Sequence, residues 1–336
     1  MQDGHIRFLA ATTILIFVLM ALAMPAQFPT AANLQSMAFQ MAELGILSVA
    51  MTLALLIGGI DLSVTATANL SAITAALVMA RLAGDGASAW QLAAVITLAF
   101  LVSLGVGLLC GMVNGILIGR AGVPAILVTL GTLTLYSGLG FAVTQGKAVH
   151  GVPDRFLFLG IGKFLGIPAP LIVFIVVVGA ASTLLGRTSF GFKVYMLGSN
   201  AVAARFSGID NPGVTLRTHM ISGSLSAIAG LVSLARTNSA NAEYGSSYLL
   251  MAILVAVLGG ISVNGGHGRV AGVVLALVSL QMLSTGSNML LSRYSGSNFF
   301  RDFAWGFLLL FVMVFARFDI GPLQAGRYFR HRSRTQ

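Results

Sequence analysis

The stretch Met51-Thr52-Leu53-Ala54-Leu55-Leu56-Ile57-Gly58-Gly59-Ile60-Asp61-Leu62-Ser63-Val64 sets the architecture. Ahead of it an apolar run reaches back to Met37, and after Asp61 a second run continues to Ala80. A helix crossing a bilayer needs about 20 mostly apolar residues, so each flank predicts one crossing. The two glycines break the helix, because glycine loses the most backbone freedom when ordered. Outward from this point, long apolar runs keep alternating with polar or Gly/Pro punctuation. The runs predict helices over residues 8–24, 37–57, 62–80, 90–119, 125–143, 171–185, 218–235, 248–258, 270–283 and 303–316. The expected fold class is therefore an all-α polytopic membrane protein of about ten transmembrane helices, forming one domain over residues 1–336. A first helix group covers 8–143, a basic loop 187–217, a second helix group 218–316, and a basic tail 317–336.

Composition agrees. Of the 336 residues 57% are hydrophobic and 8% are charged, whereas soluble domains carry about 25% charged residues. So few charges cannot cover an ordinary water-facing surface. The net charge of +10 would suggest nucleic-acid binding in a soluble chain, but its placement argues for orientation in a membrane. Arg317, Arg327, Arg330, Arg332 and Arg334 follow the last apolar run; Arg187, Lys193, Arg205 and Arg217 share one loop. Basic loops stay cytoplasmic, and ten crossings put both termini on that side together with Arg120 and Arg269. Lys147, Arg155, Lys163, Arg236, Arg293 and Arg301 fall on the other side. Membrane lipid, not nucleic acid, is the partner this pattern implies. Cys110, the single cysteine, lies in an apolar run and has no intrachain partner. Arg7 and the apolar run after it read as an uncleaved first helix.

Motifs for covalent chemistry are missing. Gly146-Lys147 is followed by Ala148 rather than by Ser or Thr, the five histidines are scattered, and no nucleophile elbow occurs. No catalytic residue, metal or cofactor is expected. Ion-coupled carriers keep ionisable groups inside the membrane, and only Glu43 is clearly charged within a predicted span. That scarcity points to a neutral solute and an external energy source; a proton-coupled carrier using Glu43 is the alternative.

Around the Gly-Gly break, one reading makes Glu43, Gly58, Gly59, Asp61, Ser63 and Asn69 part of a broken-helix solute path. The other makes Asp61 the cap of the next helix, and the preference of Asp for that position favours this role for Asp61 itself. Asn69, Ser71 and Thr74 could meet a polyol or bond neighbouring helices. Ala42-Glu43-Leu44-Gly45 and Gly58-Gly59-Ile60 are echoed by Ala242-Glu243-Tyr244-Gly245 and Gly259-Gly260-Ile261 in the other half. Gly107, Gly111, Gly115 and Gly119 predict close helix packing. In the basic loop, Asn200 can cap a short helix favoured by Ala203 and Ala204, with Arg205 and Phe206 on it and Gly208 closing it. Phe206 would seat on a cytoplasmic partner, or the helix would simply rest on the bilayer.

The stretches 51–64, 115–124, 129–133, 198–209 and 257–268 resemble, in order, the permeases of bacterial ribose-type ABC importers, which include xylose, rhamnose and autoinducer-2 transporters. The resemblance implies a type II ABC importer-like permease fold in the bacterial inner membrane. It also implies a monosaccharide or polyol solute, a second permease copy or related chain, a periplasmic sugar-binding protein and an ATP-binding-cassette ATPase. The helix at 201–207 would be the coupling helix on that ATPase. The family often has Gly where Thr65 stands, Glu where Val202 stands, and an acidic triplet where Leu249-Leu250-Met251 stands.

Overall fold

In a computed structural model, residues 2–84 and 87–291 are described. The chain divides into two units, Met1–Met289 and Leu290–Gln336; of the second, only the last residues of one helix fall among those described. The helix expected at 303–316 and the arginine-rich tail lie outside the described residues.

The long helices are α1 (Gln2–Ala23), α2 (Ala31–Leu56), α3 (Val64–Leu82), α4 (Ala89–Gly119), α5 (Ala125–Thr144), α7 (Ala169–Arg187), α10 (Asn211–Thr237) and α12 (Val270–Leu291). Among the described residues these eight are long and apolar enough to cross a membrane. Between them lie α6 (Asp154–Ile161), α8 (Ser189–Ser199), α9 (Ala201–Phe206) and α11 (Tyr248–Leu258). Among the described residues there are also four two-residue strands: β1 (Val149–His150), β2 (Lys163–Phe164), β3 (Ile167–Pro168) and β4 (Ser239–Ala240). β1 pairs antiparallel with β4, and β2 with β3.

Local chemistry starts the helices. Thr30 caps α2, Ser88 and Gln91 form a capping box at α4, and Asp210 accepts from the Gly213 N–H ahead of Pro212 in α10. Two expectations need correction. The stretch taken as polar between α5 and α7 carries α6, which buries Phe156 against Leu231 and Leu234. The basic loop 187–217 is mostly helical, because α8, α9 and the first two turns of α10 occupy it; charge on an amphipathic helix end looks like a loop in a hydropathy scan. The eighth apolar run, α11, has only 11 residues. At 1.5 Å per residue it spans about 16 Å, half of the roughly 30 Å apolar core of a bilayer.

The buried centre is made by α2, α3 and α10, while α1, α4, α5 and α7 turn apolar side chains such as Leu15, Leu101, Leu135 and Val176 outward. The small-residue face of α4 does what its spacing predicts. A Cβ at Gly107, Gly111 or Gly115 would strike the α10 backbone at Gly223, His219 or Leu216 respectively. Without side chains there, the two backbones touch.

The bundle has two ends. At the hairpin end, Lys163 Nζ donates to Gln35 near the start of α2 at 2.7 Å, and Arg155 of α6 donates to the Ala89 carbonyl at the start of α4. The β1–β4 pair joins the segments following α5 and α10 at that same end. At the opposite end, near α9, the Gly266 N–H donates to the Leu56 carbonyl at the end of α2 (2.9 Å), and His5 of α1 bonds the Leu258 carbonyl at the end of α11.

Candidate functional site

The break after α2 is a glycine-closed helix end. The Gly59 N–H reaches the Ala54 carbonyl and the Gly58 N–H the Leu55 carbonyl, with Gly58 at φ +81°. An L side chain is disfavoured at that angle, which is why glycine stands there. The same pattern closes α11: Ile261 N–H to Ala256, Gly260 N–H to Val257, and Gly260 at φ +85°. By geometry Gly58 thus corresponds to Gly260, so the internal echo is real as a capping motif and shifted by one residue from the sequence match. It does not extend further, since Ala42–Gly45 is helical and Ala242–Gly245 is not.

Asp61 does not cap α3. Ser63 holds the cap position and makes no side-chain cap bond. Asp61 Oδ1 accepts instead from the Ser63 N–H (3.0 Å) and hydroxyl (2.7 Å), while Oδ2 faces His219 Nδ1 of α10 at 3.4 Å. Asn114 of α4 donates to the Ser63 hydroxyl at 2.8 Å, and Thr129 of α5 donates to the Ile60 carbonyl at 3.0 Å. Asp61, Ser63, Asn114 and His219 are all buried. The break is therefore tied to three neighbouring helices by polar bonds. An uncompensated charge there would be costly; the Asp61–His219 contact and the serine bonds offset that cost.

Glu43, halfway along α2, is also buried and partnered. Arg236 in the last turn of α10 donates Nη2 to its Oε2 at 2.8 Å, and Ser233 and the Tyr248 hydroxyl lie beside the pair. Asn69 of α3 donates both amide hydrogens to main-chain carbonyls, those of Ala242 and Tyr244, each at 2.9 Å. Glu43 and Asn69 thus border one feature: the non-helical segment 241–247 between β4 and α11. Arg236, His219, Asn114 and Tyr248 did not stand out in the sequence. Their partners lie 158 or 193 residues away for His219 and Arg236, and no short motif carries such a pairing.

At the α9 end, Asn200 accepts from the N–H groups of Val202 (3.0 Å) and Ala203 (2.9 Å), and Gly208 closes α9 at φ +79°. Phe206 is 89% and Val202 66% exposed, with Arg205 also outward, whereas Ala204 is fully buried. Directly behind α9, three glycine-bearing segments meet. A Cβ on Gly198 would collide with the Leu56 carbonyl; Gly265, at φ +87°, lies against the Gly58 N–H; and Gly266, at φ +74°, lies against Ser199. The second Gly-Gly pair joins the same end, with Gly259 against Gly272 and Val273 of α12, and Gly260 beside His5.

Residues 33–316 match the family model for the permease component of branched-chain amino acid transport systems. The chain belongs to this permease family. Its permease relatives include the ribose import permease protein RbsC of Bacillus subtilis, 32% identical over 288 residues, covering 85% of this chain and 84% of that one. RbsC of Escherichia coli K12 is 33% identical over 281 residues, 82% and 84% of the two chains. The autoinducer 2 import system permease protein LsrD of an Enterobacter species is 32% identical over 287 residues, 83% and 84%. No solved structure matches. This permease is accordingly a multi-pass membrane protein, and the outward apolar faces of α1, α4, α5 and α7 are those suited to lipid.

Proposed function

We propose that this chain is the membrane-spanning permease subunit of an ATP-binding-cassette importer for a monosaccharide or related polyol in a bacterial inner membrane. The observation that carries the reading is the similarity, over more than four-fifths of each chain, to permeases named for ribose and autoinducer-2 import. The structure supports it on three counts. Among the described residues the α9 end carries Arg7, Arg120, Arg187, Lys193, Arg205, Arg217 and Arg269, against Arg81, Lys147, Arg155, Lys163 and Arg236 at or near the hairpin end. The larger basic set supports a cytoplasmic α9 end, with α6 and the β2–β3 hairpin on the outer side for a solute-delivering binding protein. Exposed Phe206 and Val202 then face the compartment that holds ATP, on a helix short and rigid enough to seat in a groove of an ATPase.

The proton-carrier alternative is not favoured. Glu43 is in an ion pair, so protonating it would strand Arg236 in the bundle. Uptake of radiolabelled ribose and other monosaccharides in cells with and without this permease tests the reading. Uptake that survives a protonophore at constant ATP, and stops on ATP depletion, is the expected result. Uptake abolished by the protonophore while ATP is held constant would refute it.

A further inference from the structure

The segment Asn241–Ser247 has an unusual position for backbone without helix or strand. It touches Asn69, six residues into α3 from the α9 end, and its Gly245 lies 3.8 Å from Glu43 Oε1, counted from where a Cβ would stand, halfway along α2. The half-length helix α11 starts just after it and runs to the α9 end. Residues 241–247 therefore sit at mid-membrane depth. Irregular backbone at that depth is tolerated where it is buried in protein or lines a water-filled space, and not against lipid. Here Glu243, Tyr244, Ser246 and Ser247 are exposed. Among the described residues neither serine hydroxyl has a protein partner.

We propose that Glu243–Ser247 is a wall of the solute path, with the Tyr244 ring as a platform for the apolar face of a sugar ring and the hydroxyls of Ser246 and Ser247 meeting its hydroxyl groups. This inference rests on the permease reading above and names where its solute is met. Asn69 is a positioning residue: its two bonds to the carbonyls of Ala242 and Tyr244 hold the wall in shape, and its amide is consumed in doing so. The charges near the wall fix the solute class. Glu43 and Arg236 neutralise each other, which leaves the Glu243 carboxylate as the net charge of this set. Such a wall accepts hydrogen bonds from a neutral polyol and repels sugar acids and sugar phosphates.

The native chain suits a thiol-labelling test, since Cys110 is buried. Ser246→Cys and the outward-facing Leu135→Cys are each made in the full-length permease, and membranes are treated with a charged, membrane-impermeant methanethiosulfonate. The wall predicts labelling of Ser246→Cys and none of Leu135→Cys; Ser246→Cys as unreactive as Leu135→Cys would overturn it. In the uptake assay, Tyr244→Ala is expected to lower ribose uptake roughly fivefold to tenfold, the scale of one lost contact, at unchanged amounts of inserted protein. Wild-type uptake by Tyr244→Ala would overturn the platform. Labelling needs no ATPase, so it separates the wall from the importer reading: a permease that moves no sugar but still labels at Ser246→Cys fails the latter alone.

Discussion

At Glu43 and Arg236 a carboxylate and a guanidinium meet inside the bundle at 2.8 Å, with the carboxylate fully enclosed and the guanidinium about one-fifth exposed. Each justifies the other, because a lone charge at this depth is expensive. Removing one partner of a buried pair typically costs 3–5 kcal/mol, whereas replacing both is close to neutral. Arg236→Gln should therefore lower stability by about 3 kcal/mol, read as a drop in the thermal unfolding midpoint of the detergent-purified protein. Adding Glu43→Gln to that variant should restore most of the loss. A double variant no better than the single one would show that the pair is not the source. The same comparison exposes what sequence could and could not reveal at this scale. Glu43 is conspicuous as a charge in an apolar run, and Gly58 as a helix stop. Arg236 looked like a loop cation because it ends its helix, and His219 looked incidental because Asp61 is 158 residues away.

Among the elements, the contact between α8, the end of α2 and the loop before α12 is the tightest backbone approach behind α9. Gly198 touches the Leu56 carbonyl, and no side chain fits between them. Any displacement of α9 and α8 must move the end of α2, and with it the turn at Gly58. Gly198→Val should therefore force these segments apart and depress uptake, while Gly186→Ala serves as the control. Gly186 lies near the end of α7 with open space where a Cβ would stand, and alanine there is neutral or slightly stabilising, by up to about 1 kcal/mol. Uptake and inserted protein measured together for both variants check this; wild-type uptake by Gly198→Val would remove the junction from the coupling path. Helix existence was legible at this scale wherever an apolar run is long, and not for the short helices α6 and α8. Helix ends were less so: α10 begins at Asn211 rather than Thr218, since its first two turns are polar and hydropathy registers them as loop. The half-length of α11 was legible only in hindsight, from Gly259-Gly260 ending a run too short to span.

In the bundle as a whole, α2, α3 and α10 form the frame, and the glycine-closed ends of α2 and α11 lie near one surface. Among the described residues that surface carries the larger share of basic side chains and a short helix presenting Phe206. The overall class followed from composition and run length, which need no tertiary information. The site did not, because its parts come from α2, α3, α10 and the 241–247 segment, brought together only by folding. Gentle affinity purification of the tagged permease from its native membranes, as wild type and as Phe206→Asp, reads out whether α9 seats on an ATPase. An ATP-binding-cassette ATPase is expected with the wild-type chain and is expected to be lost from the variant, at equal recovery of permease. Wild-type permease that purifies without such an ATPase, or a variant that retains it in full, would contradict an importer driven through α9.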